Sequence, residues 1–459
     1  MSKRLRGAGA LLVVAATVLT ACSSTGQAAD PATAPGPAAL SSAAGPVTVT
    51  LWHGLGGAAG DALKAEVDRF NAANTGKIQV KAAFQGSYAD AIAKYTSAVR
   101  DRTTPGIMLT NDVTTGFLHD AGQTVPAQAM AAANPGDVDL ARLRPAARSY
   151  YTADGQLLAV PFNTSMPLLY VNNAQLANSG VDRSTLGTLA GVAAAARKIH
   201  AATPEVKGLV QPFDGWWFEQ LTAASGSLYC TPDNGRKGAG ATALSLTGDA
   251  QRSAIDTVAR LYTDGAGLDT GTDGNAALTA FTSGKVAMMF NSSGAIGGLK
   301  KAGMTGYSTL PYPLSGDRAS SGALIGGAAL WVDRVGHSDA EQVAAWKVIS
   351  YLVSPEAQAR FAEMSGYAPI NTAVDAAPAW QAFLAKNPDY AVLTKQFADT
   401  PAIPATAGCL TGAMSGIRAA VVSQMQQAFS GAVPLDQALA AAQQAGTSKI
   451  GDYRKQAGK

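Results

Sequence analysis

The side chains best suited to chemistry in this sequence fall in short polar and aromatic clusters: Gly86-Ser87-Tyr88, Thr110-Asn111-Asp112, Asn163-Thr164-Ser165, Trp216-Trp217, Asn291-Ser292-Ser293-Gly294, Gly326-Gly327, Gly366-Tyr367 and Ile417-Arg418. Hydroxyls, backbone bared at glycine, aromatic faces and a guanidinium hold an anion or a polyol by hydrogen bonds without reacting with it. Taken singly, each cluster also reads as a turn.

Sequence signs of covalent catalysis are missing. There is no P-loop, no GxSxG elbow and no HExxH helix. His53, His119, His200 and His337 lie far apart, none with a Cys, His or acidic partner at metal-ligand spacing, so each reads as a surface or packing histidine. Scattered Asp and Glu leave a glycosidase-type pair open, since such carboxylates meet only in space. The glycines of Gly54-Leu55-Gly56-Gly57 fit the geometry of a strand-to-helix loop better than an anion cradle.

The elements that must position these clusters alternate. Residues 47–51 have a strand's period of two, 61–74 place Leu63, Val67 and Phe70 on one helical face, and Ile78, Val80, Ala82 and Phe84 alternate again. This is a βαβ unit, hence a parallel sheet covered by helices. Further strands are expected at 106–110, 157–160, 168–171, 286–290 and 328–332. A helix is expected over 338–353, another opens at Ser354-Pro355-Glu356, and the C-terminal third is helical, with Ile417, Val421, Met425 and Phe429 at four-residue spacing. Loops at strand ends of α/β lobes are where ligands sit, and 459 residues suit two lobes better than one overgrown sheet.

Charge and hydropathy locate the protein. Lys3, Arg4 and Arg6 precede an uncharged apolar run over 7–21, the pattern of an export signal. The run ends Leu19-Thr20-Ala21-Cys22, which resembles a bacterial lipobox, so Cys22 is the expected lipidation site. Residues 22–46, rich in Ala, Pro, Ser and Gly, are expected to form a flexible linker. The whole chain carries 35 basic and 32 acidic residues, and the surplus of three is the signal's own, so the mature chain is neutral and nucleic acid is excluded as a partner. Of the remaining cysteines, Cys230 and Cys409, an oxidising compartment favours a disulfide over two buried thiols.

At these same clusters the chain resembles the extracellular solute-binding proteins of ABC importers, and among them the glycerol-3-phosphate-binding group. The likeness runs through Trp52-His53-Gly54, FQGSYADAIAKYTSAVR (84–100), PFNTSMPLLYVN (161–172), FTSGKVAMMFNSSG (281–294), IGGAALWV (325–332), SGYAPI (365–370) and GIRAAV (416–421). It implies a periplasmic-binding-protein-like type II fold: two α/β lobes joined by crossover strands, with a ligand cleft between them. Approximate lobes are 47–161 with 330–375, and 162–329 with 376–459.

By resemblance, Tyr88 and Asp112 come from the first lobe, Ser165 from the first crossover, Ser292 and Arg418 from the second lobe, Gly327 from the second crossover and Tyr367 from near the third. Matching positions in the glycerol-3-phosphate binders contact phosphate and glycerol hydroxyls. Two departures stand out. Asp112 replaces a Glu, and Phe213-Asp214-Gly215-Trp216-Trp217 aligns with a gap against a two-Trp segment, with Phe213 in place of the Trp that packs on the ligand. A shifted wall there would admit a glycerophosphodiester such as glycerophosphocholine, its choline held by Trp216 or Trp217.

The expected protein is thus a monomeric, lipid-anchored receptor on the outer face of the cytoplasmic membrane, without cofactor or catalysis, serving an importer's permease and ATPase subunits. A neutral oligosaccharide is the alternative ligand, and an exported hydrolase the alternative activity.

Overall fold

The computed structural model describes residues 33–459, so the signal segment and Cys22 lie outside the described residues. The first sheet has strand order β2-β1-β3-β11-β4, with β5 also paired to β11. These strands are β1 (Val47–His53), β2 (Ile78–Phe84), β3 (Ile107–Asn111), β4 (Thr124–Val125), β5 (Val160–Ser165) and β11 (Gly326–Asp333). The predicted βαβ unit is present: β1 and β2 run parallel from Val47 opposite Ile78 to His53 opposite Phe84, joined by helix α1 (Gly57–Ala73). Leu63, Val67 and Phe70 are its buried face, as their spacing requires. The helix starts at Gly57, earlier than the expected Asp61.

The second sheet is ordered β8-β7-β9-β6-β10, from β6 (Pro167–Asn172), β7 (Lys207–Val210), β8 (Gly267–Leu268), β9 (Val286–Ser292) and β10 (Tyr307–Pro311). β8, β7 and β9 pair parallel, and β6 pairs antiparallel with both β9 and β10, which gives a mixed sheet. The chain leaves the first sheet at Ser165 and enters the second at Pro167, with only Met166 between them. It returns at Gly326, and Ala368 bridges to Thr164 at a third passage. Three passages joining two sheets are the framework of a hinged two-lobe molecule.

The C-terminal third is helical as expected. Helix α4 (Met414–Phe429) buries Ile417, Val421, Met425 and Phe429, and packs on α5 (Leu435–Gln456) and on α3 (Gly215–Ala224). Ser354 caps a helix with Pro355 in its first turn. Cys230 and Cys409 are joined by a disulfide, their Cα atoms 5.6 Å apart.

The expectation of a flexible linker through residue 46 needs correction. A short helix, Ala38–Ser41, lies against the helix Asp339–Leu352, with Leu40 and Ala43 packed on the core. Asn134 Nδ2 donates to the Pro35 carbonyl at 2.9 Å. Such a composition cannot make a core of its own, but a few apolar side chains suffice to lie on one that exists.

Candidate functional site

A cavity of about 680 Å³ opens where the two sheets face each other, and it is lined by Asp112, Ser165, Asp214, Trp216, Ser292, Gly327 and Arg418. Asp112 sits just beyond β3, in a single turn held by Thr114 Oγ1 donating to Asn111 O (2.8 Å) and Thr115 Oγ1 to Asp112 O (2.7 Å). Ser165 ends β5, and its hydroxyl makes no hydrogen bond among the described residues. Ser292 ends β9, where its Oγ accepts from Gly294 N at 3.2 Å. Gly327 has φ +107°, and a Cβ there would lie 1.9 Å from the Asn163 carbonyl oxygen, so only glycine lets the crossover strands come this close.

Arg418, one turn into α4, dominates the charge. Its Nη2 donates to Asp112 Oδ2 at 2.8 Å, across the cleft. Its Nε and Nη2 donate to Glu219 Oε1 and Oε2 at 2.5 and 3.1 Å, leaving Nη1 without a partner among the described residues. Glu219 projects from α3, whose N-cap is Asp214, accepting from Trp216 N at 2.8 Å. Gly215 lets the two helices touch: a Cβ there would fall 2.5 Å from Arg418 Cβ and Cγ. Burial disfavours the guanidinium's charge, but Glu219 and Asp112 outweigh it and hold its pKa well above the usual value. Burial pushes the Glu219 and Asp214 carboxyls up, against the pull of Arg418.

The other expected residues divide. Tyr88 and Tyr367 do not line this cavity. Tyr367 lines an adjoining one of about 490 Å³, which shares Ser292 with the first. Asn163 Nδ2 donates to Tyr88 Oη at 3.2 Å. Burial raises both phenols, so they stay protonated donors at neutral pH.

Of the tryptophans, only Trp216 lines the cavity, its Nε1 donating to Ile325 O at 3.2 Å. Trp217 is 1% exposed and packs on Phe290 and Tyr312, so its expected place at the ligand is corrected to the core. Phe213 likewise packs among Phe218, Tyr262 and Phe429 and cannot form the cleft wall.

Sequence reading missed Glu219 and Asp214, which sit in a segment that reads as aromatic. It also missed Val422 and Gln426, which line the cavity four and eight residues after Arg418. Their helical spacing from Arg418 was the available signal. Among the described residues no cluster of metal-ligating side chains occurs, and no helix is long and apolar enough to cross a membrane.

The arrangement can hold a ligand by hydrogen bonds: one guanidinium nitrogen, hydroxyls, backbone at a glycine and an indole face surround a cleft between two lobes. Residues 65–391 match the bacterial extracellular solute-binding protein family. Among curated relatives, the chain is 26% identical over 426 residues to the sn-glycerol-3-phosphate-binding periplasmic protein UgpB of Escherichia coli O1:K1 / APEC, covering 92% of this chain and 96% of the relative. It is 28% identical over 412 residues to UgpB of Pectobacterium atrosepticum, covering 88% and 91%. In fold it is similar to UgpB from Mycobacterium tuberculosis in complex with glycerophosphocholine, with a TM-score of 0.75 and 18% identity over 89% of this chain and 99% of that one. It is also similar to the cyclic alpha-maltosyl-1,6-maltose binding protein from Arthrobacter globiformis, with a TM-score of 0.72 and 22% identity over 89% and 100%. The chain belongs to the bacterial extracellular solute-binding proteins, the ligand receptors of ABC importers.

Proposed function

We propose that this receptor captures glycerol-3-phosphate or a glycerophosphodiester such as glycerophosphocholine and delivers it to the importer's permease. The observation that carries this reading is the gathering of Arg418, Ser165, Ser292 and Gly327 on one cavity, with an unpaired guanidinium nitrogen and an unpaired hydroxyl among them. Tyr88 and Tyr367 stand beside it as further donors. Three or four hydrogen bonds to a charged group, each contributing about 1.5 to 3 kcal/mol, suffice for micromolar binding at about 8 kcal/mol. Asp112 would accept from glycerol hydroxyls, and the indole of Trp216 offers a face to a quaternary ammonium. The likeness to proteins named for sn-glycerol-3-phosphate supports the same class.

One observation favours a second reading. Arg418 already faces two carboxylates, so the cavity is not strongly positive, and a neutral oligosaccharide stacked on Trp216 suits such a site. Calorimetry with glycerol-3-phosphate, glycerophosphocholine and maltose separates the two. Binding of a phosphorylated ligand that collapses in Arg418→Ala supports the first reading. Maltose binding unaffected by phosphate would replace it with the second.

We further propose that residues 1–21 are an export signal and that Cys22 carries a diacylglycerol, anchoring a monomeric receptor to the outer face of the cytoplasmic membrane. Release of Cys22→Ser from membranes into the soluble fraction is the expected result, and its retention there would refute the anchor.

A further inference from the structure

Three carboxylates, Asp112, Asp214 and Glu219, surround a single guanidinium in this cleft, and Glu219 is the one that grips it hardest. Its two oxygens take Nε and Nη2, and the residue is 1% exposed in the middle of a buried helix. The groups facing Glu219 are Arg418, Asp112, Asp214, Tyr150 and Tyr229, of which only Arg418 is cationic. Arg236 stands against the Tyr150 ring, 5.1 Å from its centre.

We propose that Glu219 is a positioning and specificity-determining residue: by holding one edge of Arg418 it leaves a single nitrogen for the ligand and adds a fixed negative charge that favours a singly charged phosphodiester over a doubly charged phosphomonoester. The inference rests on the phosphorylated-ligand reading given above. Its physics is direct. A phosphomonoester carries nearly two charges at neutral pH because its second pKa is about 6, whereas a diester carries one. A guanidinium offset by Glu219 and Asp112 cannot compensate a second charge, and beside two largely buried carboxylates a second negative charge is repelled. The cleft also has room for a second substituent on the phosphate, since the adjoining cavity meets the first at Ser292.

Glu219→Gln keeps the side chain's size and its acceptor oxygen but removes the charge. Calorimetry with glycerol-3-phosphate and glycerophosphocholine on the wild type and on this variant is the test. At about pH 7.5 the wild type should prefer the diester, and the variant should shift the ratio of the two affinities toward the monoester by about tenfold. Lowering the pH to about 5.5 should strengthen monoester binding to the wild type, because the phosphate takes up a proton and becomes singly charged, and should do so less in the variant, where the second phosphate charge meets one carboxylate fewer.

An unchanged ratio with both ligands still bound overturns the role of Glu219 and leaves the phosphorylated-ligand reading intact. If neither ligand binds the wild type, both fall. Should the variant not fold, the wild-type pH series decides alone: monoester affinity that stays flat or weakens on acidification overturns the proposal.

Discussion

Arg236 Nη1 donates to the Tyr150 carbonyl at 2.6 Å while its guanidinium carbon lies 5.1 Å from the centre of the Tyr150 ring. The same nitrogen reaches Thr152 O at 3.0 Å, Nε reaches Gly408 O at 3.0 Å, and Nη2 donates to Ala407 O. Among the described residues no carboxylate takes part. A partly buried cation is thus satisfied by carbonyls from two separate segments, and burial lowers its pKa only to about 10, so it stays charged at neutral pH. The Tyr150 hydroxyl lies 3.5 Å from Asp112 Oδ2, so Arg236 also backs the ligand site. Arg236→Met leaves those carbonyls unpaired and should cost about 3 kcal/mol or more. Chemical denaturation would reveal it as a lowered midpoint, and a midpoint within error of the wild type would refute it.

The disulfide fixes the same corner. Cys409 directly follows the Ala407-Gly408 carbonyls that Arg236 holds, and its partner Cys230, 179 residues away in the chain, lies shortly before Arg236 itself. Closing so long a loop restricts the unfolded chain, worth about 5 kcal/mol in the chain-entropy account. The double variant Cys230→Ser and Cys409→Ser should therefore unfold at a much lower denaturant concentration. Equal midpoints for the variant and the oxidised wild type would contradict this.

Trp216 and Trp217 are neighbours in sequence with separate duties. Trp217→Ala should cost about 3 to 5 kcal/mol of stability, because it empties a core position beside Phe290 and Tyr312. Trp216→Ala, at a half-buried cavity wall, should cost roughly 1 to 2 kcal/mol of stability while weakening ligand binding at least as much. Melting curves and calorimetry on the two variants separate the effects. A larger loss of stability for Trp216 than for Trp217 would reverse the assignment.

That pair also shows what the sequence could carry. Consecutive helical residues point about 100° apart, so one of two adjacent tryptophans must turn from any given cleft, but which one depends on how α3 sits on α4. The clusters that hold Asp112, Ser165, Ser292 and Gly327 were legible because strand ends in α/β lobes converge on a cleft whatever the loop lengths, and the family resemblance picked out the individual residues within them. Glu219 was not. It stands in an apolar helical run 199 residues from Arg418, and nothing local marks a buried carboxylate whose partner arrives from elsewhere in the chain. The segment 33–46 was misread for the same reason, since its composition says nothing of the surface on which it lies.

Gly215 is a direct probe of the α3–α4 contact. An alanine there places its Cβ 2.5 Å from the Arg418 stem, and Arg418 or the helix must move. The expected result for Gly215→Ala is a loss of about 1 to 3 kcal/mol in stability and about a tenfold or greater loss of ligand affinity, because the guanidinium no longer meets Glu219 and Asp112 squarely. Wild-type affinity in a folded Gly215→Ala protein would mean that the exact seat of Arg418 is unimportant.

Asp333 provides a pH test away from the cleft. It is fully buried at the end of β11, accepts from Val335 N at 2.7 Å and Thr104 Oγ1 at 3.1 Å as well as from Tyr95 Oη, and has His337 nearby. Burial outweighs these hydrogen bonds and raises its pKa. A carboxyl raised on folding contributes stability that is complete below its unfolded pKa of about 4 and is lost as pH rises through the folded value. Asp333→Asn removes that titration. The melting temperature of Asp333→Asn, measured relative to the wild type, should therefore climb as the pH is raised above about 4. The opposite trend would mean that Tyr95, Thr104 and the Val335 amide hold the carboxylate charged in the folded protein, and that its burial is not the dominant influence.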